Sequence, residues 1–452
     1  MPDVYLISLG CDKNRVDGEV MVGTLRTAGF RVVNNPQTAA AIIINTCGFI
    51  SDAVAESLDT VFALAEHKTN GTCQALIVVG CMTQRYKDEI KSQIPEADAF
   101  LGVGEYEKIA ETVATLLAPT TEPGFETNTK KPHNPSTVPK TRLAGRLAGR
   151  LAGRQDIDIP HIAYVKVAEG CDNACAYCTI PQIRGKFVSR PEDEILEECR
   201  ALVEAGAVEL VLVAQDTAAY PKLPDLMRKI AETSGATWIR LMYAYPEHIT
   251  PALIDVLAET PQICKYIDMP IQHSEDAILQ RMGRKGRKSE LERLIGVLRD
   301  RVPGIAIRTT LMVGFPGETD ENFDALLDFV EEMEFDRMGA FPYSREDGTP
   351  AADFDNQIDD GIKRERHAAL MELQQGIHFA KQEKYVGKVL DVIVDSSQEG
   401  DCFVGRTQYD AYESDCNVYF SSPQKLKQGQ IVPVRIIETQ DYDLRGVQEG
   451  GE

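Results

Sequence analysis

Short apolar runs alternate with amphipathic stretches over the first 118 residues. The pattern predicts strands at residues 4–9, 40–45 and 74–79, and helices at residues 17–28, 52–67 and 105–117. Strands that alternate with helices along a chain are typical of βαβ units and a mostly parallel sheet. We therefore expect an N-terminal parallel α/β domain over residues 1–118.

Residues 119–160 lose this periodicity and are rich in Pro, Thr, Asn and Lys. The string RLAG occurs there in tandem three times, over residues 142–153, and the segment has a local excess of basic side chains. Such composition is typical of a linker. A solvated linker is the simple interpretation, and contact with an acidic surface is the alternative.

A second alternating series occupies residues 161–384. Its six strand-like runs lie at residues 163–168, 208–214, 238–244, 265–269, 305–313 and 336–341. Helical patterns separate these runs, and a long one follows at about residues 359–384. Six βα units can curl into a partial (βα)6 barrel, whose active site lies at the C-terminal ends of the strands.

The pattern of hydrophobic and polar residues changes again at residue 385. Short β-rich runs at residues 389–394, 402–407, 417–420 and 431–438 are separated by Gly, Ser, Asp and Pro. This pattern predicts a small antiparallel β-barrel over residues 385–452. Residues 384–452 hold seven basic and twelve acidic side chains, which makes this module a poor non-specific binder of nucleic acid.

Composition narrows the class of protein. Charged residues make up 26% and hydrophobic residues 43%, as in ordinary globular proteins. The net charge of −22 opposes binding to phosphates and favours basic partners. Neither a membrane span nor a secretory signal is visible, so we expect a cytoplasmic protein with no membrane partner. Because that compartment is reducing, its eleven cysteines indicate metal ligation, catalysis or burial rather than disulfides.

Cys171, Cys175 and Cys178 form a CxxxCxxC motif in the string EGCDNACAYCTIP, directly after a predicted strand. Soft thiolate ligands select zinc, copper(I) or iron–sulfur clusters. Structural zinc normally has four protein ligands, and no fourth Cys or His follows nearby. Three ligands leave one coordination position open, as a reactive centre requires.

Cys11, Cys47 and Cys81 each follow a predicted strand of the N-terminal domain. The C-terminal ends of parallel strands share one edge, so these side chains are expected to converge on a second metal centre. Burial as structural cysteines is the alternative. The remaining cysteines lack ligand-like neighbours and are predicted to be structural: Cys73, Cys199, Cys264, Cys402 and Cys416.

These motifs carry a resemblance to a known family. The CxxxCxxC motif, with Tyr177 before its last cysteine, resembles the radical S-adenosylmethionine enzymes, in which three cysteines hold a [4Fe-4S] cluster that binds S-adenosylmethionine. The strings LGCDKNRVDGE, NTCGFI and GCMTQRY around Cys11, Cys47 and Cys81 resemble the methylthiotransferases, where they hold an auxiliary [4Fe-4S] cluster. The C-terminal barrel is similar to the TRAM domain. The resemblance covers the chain except the linker and implies two [4Fe-4S] clusters and S-adenosylmethionine as cofactors.

Three further strings are similar to the methylthiotransferases that act on ribosomal protein twelve of the small subunit: RLMYAYPEHIT, DMPIQH and FPYSREDGTPA. The resemblance implies a methylthio group added to the β-carbon of an aspartate, with that protein or the small ribosomal subunit as substrate and an electron donor as partner. An acidic barrel suits a basic ribosomal protein better than tRNA. The same chemistry on a modified adenosine of tRNA and a non-catalytic iron–sulfur redox module are the alternatives.

Four residues at the expected S-adenosylmethionine edge are secondary candidates for cofactor binding: Gln215, Asp216, Arg308 and Gly314. Gln215 and Asp216 follow the second strand of the barrel. Arg308 is suited to pairing with a carboxylate, and Gly314 to a close backbone approach. Turn or helix-cap chemistry is the alternative for each, and no residue receives a catalytic role.

Overall fold

The computed structural model describes residues 1–118, 159–398 and 400–450. These residues form two compact units. The first combines the described part of Met1–Asp158 with Ala168–Asp172 and Cys178–Arg190, and the second holds Ile159–Val167, Asn173–Tyr177 and the described part of Pro191–Glu452. The predicted linker and its RLAG repeat lie outside the described residues, apart from the last two linker positions.

The first unit is built on a five-stranded parallel sheet with the order β2-β1-β3-β4-β5. The strands are β1 (Asp3–Ser8), β2 (Arg31–Val33), β3 (Ala41–Thr46), β4 (Ala75–Gly80) and β5 (Ala99–Leu101). The helices are α1 (Asp12–Thr27), α2 (Ser51–Ala65), α3 (His67–Asn70), α4 (Cys81–Gln93) and α5 (Ile109–Leu116), with 3₁₀ turns at Pro36–Thr38 and Tyr106–Lys108. An antiparallel pair, β7 (Ala168–Glu169) with β8 (Val188–Ser189), and helix α6 (Ile180–Arg184) complete the unit.

The apolar sequences of the two central strands explain this architecture. Strands β3 and β4 are buried along their whole length, as expected when helices cover both faces of a parallel sheet. Alternate side chains point to opposite faces. Ile43 packs in one core with Leu25 of α1, whereas Ile42 packs in the other with Val61 of α2 and Met82 of α4.

The second unit contains six strands of the predicted partial barrel, arranged as the three-stranded parallel sheets β10-β9-β6 and β11-β12-β13. Ile239 of the first sheet forms a parallel bridge to Ile263, just before the second. The strands are β6 (Ile162–Lys166), β9 (Glu209–Val213), β10 (Trp238–Leu241), β11 (Tyr266–Asp268), β12 (Ala306–Val313) and β13 (Arg337–Pro342).

The helices of the second unit follow its strands in sequence. They are α7 (Glu192–Glu204), α8 (Leu223–Thr233), α9 (Pro251–Glu259), α10 (Asp276–Arg281), α11 (Lys288–Arg301), α12 (Asp320–Met333) and α13 (Asp360–Gln382). Short 3₁₀ turns lie at Thr217–Ala219, Pro246–His248, Pro350–Asp353 and Glu383–Tyr385. No helix among the described residues is both long and apolar enough to cross a bilayer.

The C-terminal part of the second unit is a closed barrel of five strands, ordered β14-β15-β16-β18-β17. The strands are β14 (Val389–Ser397), β15 (Cys402–Thr407), β16 (Val418–Ser421), β17 (Ile431–Gln440) and β18 (Asp443–Gln448). Side chains at alternate positions of β17, Val432, Val434 and Ile436, fill the barrel interior. Because the barrel is closed, each of its strands pairs with a neighbouring strand on both sides.

The predicted fold class is confirmed: a parallel N-terminal sheet, a partial barrel and a small C-terminal β-barrel. Four strands, β2, β5, β8 and β18, were not predicted. The barrel also departs from a purely antiparallel design, because β16 pairs with β18 in parallel while the other four pairings are antiparallel.

Candidate metal centres

Cys11, Cys47 and Cys81 lie at one edge of the N-terminal sheet. Cys11 directly precedes α1, Cys47 follows β3, and Cys81 is the first residue of α4, immediately after β4. The parallel register places Ser8 beside Asn45, and Thr46 beside Gly80. The three cysteines therefore follow the C-terminal ends of adjacent strands, as the sequence predicted.

A glycine next to each cysteine lets the three loops approach one another. Gly10 has φ +83°, and a Cβ there would lie 3.0 Å from the Cys47 sulfur. A Cβ on Gly48 would lie 2.7 Å from the Met82 backbone, beside Cys81. Gly80 has φ +101°, and its Cβ would lie 2.6 Å from Asn45 Oδ1. At Gly10 and Gly80 only glycine combines a positive φ with this proximity, and at Gly48 the close contact alone disfavours a side chain.

Asn14 connects two of these loops, those of Cys11 and Cys47, through its backbone and side chain. Its side-chain amide donates to the carbonyl oxygens of Leu9 at 2.7 Å and Thr46 at 3.3 Å, and the Asn45 amide donates to the Asn14 carbonyl oxygen at 2.9 Å. Neither Asn14 nor Asn45 was identified from the sequence. Asn45 had a visible signal, because it is a polar residue near the end of an apolar strand, two positions before Cys47.

Two thiols of this edge, Cys47 and Cys81, are held in the protonated form when no ligand is bound. Burial raises the pKa of Cys81 to about 11, against the opposing effect of the Arg184 guanidinium, and burial also raises the pKa of Cys47. Thiolates are the metal-binding form, so loading this site releases protons. No three His, Cys, Asp or Glu side chains of the described residues converge tightly enough for a single metal ion.

The second set of cysteines lies in the loop after β7. Gly170 has φ +76°, and a Cβ there would lie 2.1 Å from the Lys186 carbonyl oxygen, so only glycine allows this turn. The Cys171 amide donates to the Gly185 carbonyl oxygen at 3.1 Å, and Asp172 accepts from the Phe187 amide at 3.1 Å. These contacts fix the first part of the loop. Cys171, Cys175 and Cys178 are each partly exposed thiols.

Cys175 lies in a polar and aromatic environment. Its sulfur is 2.9 Å from the Tyr245 hydroxyl oxygen, and the Arg284 guanidinium lies 3.6 Å above the Tyr245 ring centroid. Burial raises the pKa of Tyr245, so its hydroxyl keeps its proton. The neighbouring Ala176 amide donates to the Met282 carbonyl oxygen at 2.8 Å. Tyr245 and Arg284 were not identified from the sequence.

Asp216, a predicted cofactor-binding residue, lies beside this loop. Its Oδ2 accepts from the Asn173 amide at 2.9 Å and lies 2.7 Å from His248 Nδ1, and this contact raises the pKa of His248. Its Oδ1 is buried and has no hydrogen-bond partner among the described residues. Gln215, the adjacent candidate, is partly buried after β9.

The other two cofactor-binding candidates have partners within the protein. The amide of Gly314 donates to both carboxylate oxygens of Glu318 at 2.9 Å. Arg308 donates to Asp268 Oδ1 at 2.9 Å and lies 3.3 Å from Asp415 Oδ1. Binding of S-adenosylmethionine by either residue stays a prediction.

Three family models match successive parts of the chain. The Uncharacterized protein family UPF0004 matches residues 3–102, the Radical SAM superfamily matches residues 165–330, and the TRAM domain matches residues 386–448. These matches and the two cysteine sets define a radical S-adenosylmethionine protein with an additional N-terminal cysteine site and a TRAM barrel.

Similarity to full-length relatives identifies the family of this chain. "Ribosomal protein uS12 methylthiotransferase RimO" of Desulforamulus reducens is 44% identical to this chain, and the match covers 99% of each protein. The protein of the same name from Desulfitobacterium hafniense is 42% identical over 98% of each. The chain belongs to the family of ribosomal protein uS12 methylthiotransferase RimO. It is thus an enzyme of the radical S-adenosylmethionine methylthiotransferase class, which works with S-adenosylmethionine and two [4Fe-4S] clusters.

Solved structures share the fold at low sequence identity. The radical S-adenosylmethionine methyltransferase TsrM from Kitasatospora setae matches with a TM-score of 0.56 and 15% identity, over 77% of this chain and 74% of that one. The cobalamin-dependent S-adenosylmethionine radical enzyme OxsB matches with a TM-score of 0.52 and 13% identity, over 81% and 56%. At these identities the similarity concerns the fold alone.

Proposed function

We propose that this enzyme adds a methylthio group to the β-carbon of an aspartate in ribosomal protein uS12. The observation that carries the proposal is the near full-length similarity to relatives named for that reaction, at 41–44% identity. The net charge of −22 supports it, because an acidic enzyme attracts a basic ribosomal protein and repels tRNA. We place the reaction in the cytoplasm, with an electron donor as a second partner.

We assign the six cysteines as cluster ligands in two sets. Cys171, Cys175 and Cys178 would hold the cluster that binds S-adenosylmethionine, and Cys11, Cys47 and Cys81 would hold the auxiliary cluster. When bound, these groups supply the carbon-radical chemistry and the sulfur. The contribution of the chain is to hold and orient them. Both sets offer three thiolates and leave one iron of a four-iron cluster open to a further ligand.

Asp216 is the strongest candidate for a protein contact to S-adenosylmethionine. Its Oδ2 is held by Asn173 and His248, whereas its buried Oδ1 has no protein partner in the described chain. A buried carboxylate oxygen requires a hydrogen-bond donor, and the amino and hydroxyl groups of S-adenosylmethionine are such donors. Gln215, Gly314 and Arg308 remain weaker candidates.

The test of the proposed function uses the full chain reconstituted anaerobically with iron and sulfide. Ribosomal protein uS12 and bulk tRNA are incubated in parallel with the enzyme, S-adenosylmethionine, sulfide and a reductant, and both are analysed by mass spectrometry. We expect a methylthio mass increase on an aspartate of the protein and none on tRNA. Modification of tRNA alone would overturn the substrate assignment.

Cysteine variants test the ligand assignment in the same assay. Replacing Cys11, Cys47 and Cys81 together with Ala is expected to lower bound iron from about eight to about four atoms per chain and to abolish methylthiolation. Cys402→Ala is the matched control, because Cys402 is exposed and lies outside both sets. Full iron content in the triple variant would refute the auxiliary site.

A further inference from the structure

Arg184 is a buried cation in the segment after the CxxxCxxC motif. It is the last residue of α6, six positions after Cys178, in the string TIPQIRG. The segment belongs to the first compact unit, together with the N-terminal sheet. Only 1% of the Arg184 side chain is exposed, so its guanidinium depends on protein groups for solvation.

The guanidinium has contacts of two kinds. Nη1 donates to Asp17 Oδ2 at 3.1 Å and to Glu169 Oε1 at 3.0 Å. Nη2 donates to Asn14 Oδ1 and to the Cys81 sulfur, both at 3.3 Å. The two carboxylates compensate the buried charge, and the other side of the planar fork faces a sulfur that we assign as a cluster ligand.

We propose that Arg184 is a positioning residue of the auxiliary site, which orients the Cys81 thiolate and raises the reduction potential of the cluster bound there. This inference rests on the proposed function of Cys11, Cys47 and Cys81. A hydrogen bond to a ligand sulfur and a nearby positive charge both stabilise the reduced, more negative form of a cluster. Arginine remains charged at every relevant pH, so the effect is permanent.

A purely structural role is the competing explanation. In that case Arg184 would only join α6 to α1 and β7 through Asp17 and Glu169, and the bond to Cys81 would be incidental. The two explanations can be separated by the direction in which the reduction potential of the cluster changes. Removing the Arg184 cation should lower the potential of the cluster, whereas removing the nearby Asp17 anion should raise it or leave it unchanged. Both substitutions break the same ion pair.

The experiment uses the full chain with Cys171, Cys175 and Cys178 replaced by Ala, so that the iron signal comes from the auxiliary site alone. Arg184→Gln removes the charge, Arg184→Lys retains it, and Asp17→Asn is the matched control. Each protein is reconstituted anaerobically, its iron and sulfide are quantified, and the midpoint potential is measured by titration with electron paramagnetic resonance detection.

We expect a lower potential in Arg184→Gln, a value closer to the parent in Arg184→Lys, and no decrease in Asp17→Asn. Loss of iron in Arg184→Gln, with iron retained in Asp17→Asn and restored in Arg184→Lys, would equally support the proposal. An unchanged potential in Arg184→Gln, or equal loss of iron in Arg184→Gln and Asp17→Asn, would overturn it. A parent chain that binds no iron would overturn the auxiliary site itself, and this inference with it.

Discussion

Glu209 is the anionic centre of a buried network in the second unit, and its replacement by Gln gives the sharpest stability prediction. The carboxylate accepts from Arg240 Nε at 2.6 Å and from Arg406 Nη2 at 2.9 Å. Arg240 lies on β10 of the partial barrel and Arg406 on β15 of the C-terminal barrel, so one anion joins both. All three side chains are fully or almost fully buried.

The size of the expected loss in the free energy of unfolding follows from the charges around Glu209. Burial alone would raise the pKa of Glu209, but the two guanidinium groups outweigh it and lower the pKa from 4.5 to about 2. At about 1.4 kcal/mol per pKa unit, this corresponds to about 3 kcal/mol in favour of the charged form. Glu209→Gln leaves Arg240 without its buried anion and Arg406 with Asp395 alone, and breaking a buried pair costs about 3–5 kcal/mol. We expect the free energy of unfolding to fall by that amount.

The assay is urea unfolding followed by the fluorescence of Trp238, the single tryptophan of the chain, which lies beside Glu209 in the parallel register. Glu192→Gln is the matched control, because Glu192 forms an exposed ion pair with Lys229 and its loss should cost at most about 1 kcal/mol. A Glu209→Gln protein within about 0.5 kcal/mol of wild type would refute the reasoning.

The same network predicts a pH dependence. The pKa of Glu209 is lower in the folded chain than in the unfolded one, so its contribution is complete above about pH 4.5 and is lost as the pH falls toward about 2. The difference between wild type and Glu209→Gln should therefore narrow over that range.

Two further predictions concern the candidate sites. Gly10→Ala should lose iron from the auxiliary site, because its Cβ would contact Cys47. Gly29→Ala is the control, because Gly29 also has a positive φ but has open space around it. This variant should destabilise the folded protein by about 1 kcal/mol and keep its iron. Equal iron in both variants would contradict the close-approach argument. Asp216→Asn should lower the pKa of His248 toward its ordinary value, as measured by nuclear magnetic resonance, and an unchanged pKa would refute the hydrogen bond between them.

The pattern of apolar residues by itself determined the order of strands and helices along the chain. Buried parallel strands such as β3 and β4 need continuous apolar runs, and amphipathic helices need a regular period, so both leave a clear signal in sequence. The positions of Cys11, Cys47 and Cys81 after the ends of strands were equally visible. The three-residue strands β2 and β5 were not, because their pairing comes from neighbours in the sheet and not from their own pattern.

Only the tertiary structure decided which polar side chains meet. Arg308 was predicted at the S-adenosylmethionine edge, yet its guanidinium contacts Asp268 and Asp415, the latter 107 positions later in the sequence. Arg184 follows the CxxxCxxC motif in sequence, yet it contacts Asn14 of α1 and Cys81 of α4. A local pattern reports which face of an element is buried. The partner of a buried charge lies on a distant segment that packing brings close. The local sequence pattern does not encode which segment that is.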